Sequence, residues 1–505
     1  MTVCDRDEKV KTRPYILLIG ALCALSVWAE EPTPLPPTIN AARGETYGPA
    51  LSADQQTLYF TGLNRPDNLG LEDIYVSTRN SQGEWSQARL VNGLNTPYTN
   101  EAPMSVYGRT MLLFREGRIM VSEKGTHGWK EPQPIGRALT IGSWQADAML
   151  TRDGQAMLFA AYERGDNGGR PSINIYVAHR DSTGRWQKPI SLGPTINTEA
   201  TERAPYLHPD GRTLYFCSDR EGTLGGLDVW RTTRLKEDSW TEWSEPENLG
   251  PEINTAEQEC WYKISNDGQL ALFAVKSEKT HRLYQIALPQ DKRPGPIASI
   301  SGRLMDEDGH PLDGMIYWED LETGQRIGQI ATDPEDGRFY VTLPLGKHYG
   351  YYAESAYCFP QSDNLDLSQQ DSSMHIEHDI TLLLSKSLHG SDKWLRLNNV
   401  FFDVDKSQIL PTSEPELKRI AEAIQRYGIS VVVEGHTDNT GSDEHNKALS
   451  LARAESVRQA LIRLGCRPDR LSAEGFGSSR PVADNSTPEG RQLNRRVELH
   501  LKKGQ

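Results

Sequence analysis

Between residues 30 and 290 hydrophobic and polar positions alternate in short runs, and the runs repeat. The clearest unit starts at Ala204-Pro-Tyr-Leu and turns at Asp210-Gly211. It resumes as Leu214-Tyr-Phe, passes Asp228-Val-Trp and Trp243, and ends on Leu249-Gly-Pro-Glu-Ile-Asn254. Pro49, Pro103, Ala148, Pro205 and Tyr262 open five such copies. Asp54-Gln55, Asp153-Gly154, Asp210-Gly211 and Asp267-Gly268 make the first turns. Leu58-Tyr-Phe, Met111-Leu-Leu-Phe, Met157-Leu-Phe, Leu214-Tyr-Phe and Leu270-Ala-Leu-Phe read as second strands. Asp73-Ile-Tyr-Val, Asn174-Ile-Tyr-Val and Asp228-Val-Trp read as third strands, and Trp85, Trp129, Trp186 and Trp243 as openings of the fourth. Alternating strands joined by Asp-Gly turns cannot bury a face alone. Copies of about fifty residues with four strands each predict a β-propeller of five blades, with a sixth, degenerate blade left open. Leu35-Pro-Pro-Thr-Ile-Asn40 repeats Leu192-Gly-Pro-Thr-Ile-Asn197, and the last copy lacks this tail, so the N-terminal segment is expected to close the ring.

Residues 291–296, Asp-Lys-Arg-Pro-Gly-Pro, read as a linker. From 297 to 385 the runs at Ile300, Asp336-Gly-Arg-Phe-Tyr-Val and Tyr349–Tyr352 predict a small β-sandwich. Its Asp306-Glu-Asp-Gly309 lacks the remaining ligands of a calcium loop and reads as a turn. After 386 the period changes. Leu417, Ile420, Ile424 and Tyr427 make the buried stripe of a helix, with Ser413 and Glu416 as a capping box and Gly428 as its stop. Ile429–Val433 is a buried type of strand, and a second helix starts near Ser442 and ends at Gly465. Leu397–Phe402 and the alternating Val497, Leu499 and Leu501 read as further strands. The chain is therefore expected to be multidomain and mainly β: propeller at 30–290, sandwich at 297–385, and an α/β domain at 386–505 with helices on one face.

Composition is that of a globular chain, and the net charge of −14 disfavours nucleic acid as a partner. Lys9, Lys11 and Arg13 precede an apolar run from Tyr15 to Val27, and Val27-Trp28-Ala29 fits a cleavage site. Residues 1–29 thus read as an export signal, with the mature chain starting at Glu30. Leu22 stands beside Cys23 where a lipidation motif wants a small residue, so a soluble exported protein is expected. Cys217, Cys260, Cys358 and Cys466 show no metal spacing, and Cys217 with Cys260 reads equally as a disulfide or as two buried thiols.

Candidate chemistry concentrates in 431–453. Asp438 lies in the loop before the second helix, while Asn446 and Arg453 are seven residues apart and share a helix face. A carboxylate facing a guanidinium suits a zwitterion, the first taking an ammonium and the second a carboxylate in a two-pronged bond. A turn aspartate and a solvated arginine give the same pattern. His436 has no second histidine or cysteine at ligand spacing and is expected to be packed, so no metal is expected. The repeats show no Ser-His-Asp spacing and no metal cluster, and no cofactor is expected. Asp73 and Asp228 recur and are expected to hold turns, and the glycine pairs at 168–169 and 225–226 to sit in hairpins.

Five blocks in order carry a resemblance: Phe401-Phe-Asp-Val-Asp-Lys-Ser-Gln-Ile-Leu-Pro411, Gly435-His-Thr-Asp-Asn-Thr-Gly441, Asn446 to Ala454, Gly475 to Asn485, and Gly490-Arg-Gln-Leu-Asn-Arg-Arg-Val-Glu498. Residues 390–503 resemble the C-terminal domain of OmpA-like proteins, including Pal-type lipoproteins and flagellar stator anchors. The resemblance implies noncovalent binding of peptidoglycan through the diaminopimelate of its stem peptide. Asp438 would take the ammonium and Arg453 the carboxylate, with Asn446, Thr437, Phe402 and Asp403 lining the pocket. The repeats resemble Tol-type, WD-like propeller repeats, and 297–385 resembles the carboxypeptidase regulatory-like sandwich, non-catalytic in that family.

Together these features predict a non-enzymatic envelope protein in the periplasm of a Gram-negative cell, at the cell wall, with outer-membrane association left open. The propeller would serve as a protein- or glycan-binding platform with an envelope protein as partner. Two other classes stay open: a structural subunit of a secretion or motility complex, and a propeller-borne hydrolase targeted to the wall.

Overall fold

The computed structural model describes residues 31–163, 172–278, 280–388 and 393–501. The export signal, Cys23 and the Gly168-Gly169 pair lie outside the described residues. Five antiparallel sheets follow one another along the chain. The first pairs Glu45–Leu51, Thr57–Leu63, Glu72–Thr78 and Arg89–Leu90 in order. The second runs from Glu101–Tyr107 to Gln133–Pro134, the third from Trp144–Leu150 to Ile190–Ser191, and the fourth from Glu202–Leu207 to Glu247–Asn248. The fifth holds Gln258–Ile264, Leu270–Ser277 and Thr280–Ala287, and takes its outer strand, Thr33–Pro34, from the other end of the chain. The first strand of each sheet lies against the first strand of the next, and that of the fifth returns to that of the first.

The recurring residues explain the repetition. Asp153, Asp210 and Asp267 each accept the amide of the residue two positions on, and the intervening Gly154, Gly211 and Gly268 have φ of 66°, 74° and 72°. That left-handed corner is where glycine costs least. Asp73 Oδ2 accepts the amides of Leu69 and Gly70, and Asp228 those of Leu224 and Gly225, so both hold turns. The asparagine ending each Ile-Asn tail acts as a substitute strand. Asn197 accepts from the Ile175 amide and donates to the Ile175 carbonyl, both at 2.8 Å. Asn254 does the same to Val229, and Asn40 to Leu283. Asn40 therefore latches the N-terminal segment onto the fifth sheet.

The tryptophans do not open the fourth strands. Trp85, Trp186 and Trp243 form single bridges to Arg79, Arg180 and Arg234, and Trp129 pairs with Lys124; the fourth strands follow a few residues later. Arg79 and Arg180 lie 4.5 and 4.3 Å over their tryptophan rings, an attraction that a strand reading of the sequence does not include. Cys217 and Cys260 form a disulfide joining the fourth and fifth sheets, while Cys358 and Cys466 are buried thiols.

From Ile297 to Leu384 two sheets close on one core of Ile300, Leu304, Ile316, Trp318, Phe339 and Tyr351. Asp306 Oδ1 accepts the amides of Asp308 and His310, both at 2.9 Å, as a turn requires. This segment docks onto the second sheet through Lys124–Asp333 and Arg109–Asp313, each at 2.8 Å, and onto the C-terminal region through the Tyr427 hydroxyl, which donates to the Cys358 carbonyl at 2.7 Å.

The last sheet has the order Lys393–Arg396, Val497–Leu501, Val431–Gly435, Leu471–Gly475, the final pair being parallel. Helices α1 (Glu414–Tyr427) and α2 (Asp443–Arg463) cover one face through Leu417, Ile420, Ile424, Val457 and Leu461. A short α3 (Pro488–Asn494), capped by the Thr487 hydroxyl, was not evident in the sequence pattern. Two expectations fail locally. The strand lies at 393–396, not 397–402, because Asn398 and Asn399 turn away to donate to the carbonyls of Ser362 and Asp363. No capping box forms at Ser413. A 3-10 turn, Pro411–Ser413, runs straight into α1, so Ser413 is already helical and its hydroxyl accepts the Phe401 amide. Glu416 is buried instead, paired with Arg419 at 2.9 Å and bonded to Ser362. Gly428 does stop α1, with φ 60°.

Candidate functional site

The site is built where the strand Val431–Gly435 ends and α2 begins. The Ser442 hydroxyl accepts the His445 amide and starts α2, as expected, with Asp443 and Glu444 in the first turn. Between strand and helix, Asp438 Oδ1 accepts the Thr440 amide at 2.9 Å and also the Thr440 hydroxyl. Asn446 reaches back from α2 and donates to the Thr440 carbonyl at 2.9 Å. Thr437 hangs from the Gly477 carbonyl by its amide at 3.0 Å, and its buried hydroxyl has no hydrogen-bond partner among the described residues. Asn446 therefore shapes the Asp438 loop and offers it no free donor on that side.

Arg453 lies two turns beyond Asn446 on α2 and is only 8 % exposed. Its Nε donates to the Lys406 carbonyl at 2.9 Å and its Nη2 to the Asp403 carbonyl at 3.2 Å. The guanidinium sits 5.1 Å over the Phe402 ring. Asp403 joins the site through its backbone alone, since its exposed carboxylate pairs with Lys406 at 2.8 Å. Among the described residues no carboxylate comes within ion-pair distance of Arg453, and Nη1 makes no hydrogen bond.

Asp438 has a partner that sequence reasoning missed. Arg495 Nη1 lies 2.5 Å from Asp438 Oδ2. The signal was present in the Asn494-Arg495-Arg496 run just before the terminal strand, but nothing in spacing connects it to a loop 57 residues earlier. Burial raises the Asp438 carboxyl, yet Thr440 and then Arg495 outweigh it and hold the group below the ordinary carboxylate range. Burial, followed by the like charge of Arg495, lowers the Arg453 guanidinium, while Asp405 and Asp438 oppose that change. The structure thus sets a held carboxylate and a half-satisfied guanidinium within electrostatic reach of each other, with no direct bond between them.

His436 is 2 % exposed and stacks on Phe476 with ring centres 5.4 Å apart. Its Nε2 is 3.4 Å from Glu498, and donor atoms of Glu434, His436 and Glu498 lie within 4.8 Å of one another. A cation there would compete with existing partners: Glu434 already takes Trp394 Nε1 at 3.1 Å and His500 at 3.0 Å, and Glu498 takes Arg496 at 2.7 Å. Burial raises the Glu498 carboxyl, but His436 and Arg496 outweigh it and hold the group at about 2. A depressed carboxyl stabilises the fold fully above its unfolded value of ~4.3 and loses that contribution as pH falls toward 2. Wild-type melting temperature is expected to fall across that window more steeply than that of Glu498→Gln, measured by thermal denaturation between pH 5 and 2. Parallel curves would contradict this network.

This geometry belongs to an OmpA-like C-terminal domain on a mainly β, multidomain chain. The OmpA family model matches residues 401–495. Outer membrane porin F of Pseudomonas fluorescens is 48% identical over 104 residues, 20% of this chain and 32% of that protein. Peptidoglycan-binding protein ArfA of Mycobacterium bovis is 39% identical over 101 residues, 20% of this chain and 31% of that protein. The chain spans about a third of the length of such curated relatives. Among solved structures, the peptidoglycan-associated lipoprotein from Burkholderia pseudomallei shares 31% identity over 20% of this chain and 88% of its own, with a TM-score of 0.20.

Proposed function

We propose that this chain is an exported envelope protein that holds peptidoglycan noncovalently in the periplasm of a Gram-negative cell. In this reading the domain at 386–505 grips the stem-peptide diaminopimelate. Arg453 takes the free carboxylate of that residue, and Asp438, shared with Arg495, takes the ammonium on the same carbon. Phe402 and the backbone of Asp403 form one wall, and Thr437 and Asn446 support the other. The observation that carries it is the buried Arg453 fork, which has backbone partners on one side, no carboxylate partner among the described residues, and Asp438 nearby. The relatives' printed names, a porin of the outer membrane and a peptidoglycan-binding protein, support the same setting.

The five sheets are read as blades of a propeller over 30–290, closed by the strand Thr33–Pro34, with a sandwich at 297–385 between it and the anchor. The ring order of the first strands and the repeated asparagine latch support that reading. It makes the propeller a platform held near the wall, for binding and not for catalysis.

The test is cosedimentation with purified sacculi. Lysine keeps the side-chain ammonium of diaminopimelate and lacks the carboxylate beside it. A site built for both rejects the analogue lacking one. Binding to lysine-type sacculi is expected to be at least ~10-fold weaker than to diaminopimelate-type sacculi. Equal binding to both would sink the carboxylate role of Arg453.

A further inference from the structure

The first strands of the five sheets each carry a break in register: at Tyr47/Ala50, Pro103/Ser105, Ala146/Met149, Arg203/Tyr206 and Cys260/Lys263. Such bulges re-aim side chains. At four of them one residue is left-handed: Gly48, Asp147, Ala204 and Trp261, with φ of 59°, 54°, 51° and 55°. Glycine is at ease there and aspartate tolerable, but a tryptophan is strained and needs surroundings that hold it.

The surroundings do hold it. Asp147 Oδ1 accepts Trp261 Nε1 at 2.9 Å, and Oδ2 accepts Arg203 Nε at 2.9 Å and the Ala204 amide at 3.2 Å. One carboxylate thus ties the third, fourth and fifth sheets together. The Arg203 guanidinium lies 4.9 Å from the Trp261 ring and 5.5 Å from that of Trp144. Tyr47 packs on Trp261 at 5.3 Å, and Phe114 on Trp144 at 6.4 Å. This aromatic belt lines a cavity of about 340 Å³ and is only partly buried. The opposite ends of the same strands meet Tyr340 and Val341 of the 297–385 segment, so this is the mouth turned away from the anchor side.

We propose that this mouth is a saccharide-binding site. Most polar groups at it already have a partner: Asp147 pairs with Arg203, Glu45 lies 2.6 Å from the His281 ring, and Glu72 accepts from the Tyr47 hydroxyl at 2.6 Å, while Lys276 adds a charged group to the lining. What is left on offer is aromatic faces edged by fixed polar groups, with Gln258 exposed at the rim. Sugar rings present that complement, C–H faces for the aromatic rings and hydroxyls for the edge. The proposal rests on the propeller reading of the five sheets and names the ligand class of that platform.

The experiment titrates the full chain with chitotetraose and with maltotetraose, following tryptophan fluorescence and heat. The two sugars separate acetylated amino sugars of the wall type from plain glucans. Neither carries an amino acid, so the Asp438 pocket contributes nothing, and Asp438→Asn is expected to bind as wild type does. Saturable binding of at least one sugar is expected, weakened at least ~10-fold in Trp144→Ala and in Gln258→Ala, which lies at the exposed rim and leaves the core intact. The proposal is overturned if neither sugar saturates, if both variants bind like wild type, or if β-casein peptides saturate the site where sugars do not.

Discussion

Arg453→Ala is expected to release the protein from diaminopimelate-type sacculi. Removing one member of a buried, hydrogen-bonded charge pair costs ~2–5 kcal/mol, or roughly 30-fold and upward in affinity. Part of that cost would come from the protein itself. Arg453 also holds the carbonyls of Asp403 and Lys406, so its loss frees the Phe402 wall. Arg453→Lys separates the two contributions: it keeps the charge and loses the fork, and recovery is expected to be partial. Asp438→Asn tests the other half. The amide oxygen can still accept from Thr440, so the loop keeps its shape while the ammonium loses its counter-charge and Arg495 its partner. Cosedimentation read beside thermal melting decides the matter. If folded Arg453→Ala and Asp438→Asn proteins both sediment with sacculi as wild type does, the pocket is not the anchor.

Features made by short-range chemistry were legible in the sequence. The Asp-Gly corners, the Ser442 cap and the Gly428 stop each depend on residues within a few positions of one another. The repeated Leu-x-Pro-x-Ile-Asn tail even betrayed where the N-terminal segment attaches, because Asn40 does for Leu283 what Asn197 does for Ile175. The losses came wherever a distant element changed a local choice. Ser413 and Glu416 have the spacing of a capping box, but Glu416 is taken by Ser362 and Arg419. Leu397–Phe402 has the apolar content of a strand, but its asparagines bond to another sheet. Arg495 and the belt around Trp261 were invisible for the same reason. A bulge or an ion pair across 57 residues leaves no period in the chain.

Gly435→Val is expected to unfold the C-terminal domain selectively. A Cβ at Gly435 would stand 2.1 Å from the Ser450 carbonyl oxygen, and one at Gly475 would stand 2.3 Å from the Leu451 amide nitrogen. Both obstacles are backbone of α2, so no side chain can swing aside. The parallel strands Val431–Gly435 and Leu471–Gly475 end in glycine because α2 crosses them at that point. The helix carries Asn446 and Arg453, so the close approach is what brings the guanidinium over Phe402 and toward the Asp438 loop. Valine must push α2 off the sheet, separating Val457 and Leu461 from Val433 and Leu499. Overpacking against a rigid neighbour costs ~1–3 kcal/mol and rises further when the backbone cannot yield. Calorimetry is expected to show the transition of the C-terminal domain moved down or lost while that of the five sheets persists, with sacculus binding lost alongside. Asp438→Asn should lose binding with little change in melting, so together the two variants divide the anchor into its frame and its charge. A Gly435→Val protein that melts like wild type would mean that α2 does not press on the sheet as described, and that Arg453 owes its position to something else.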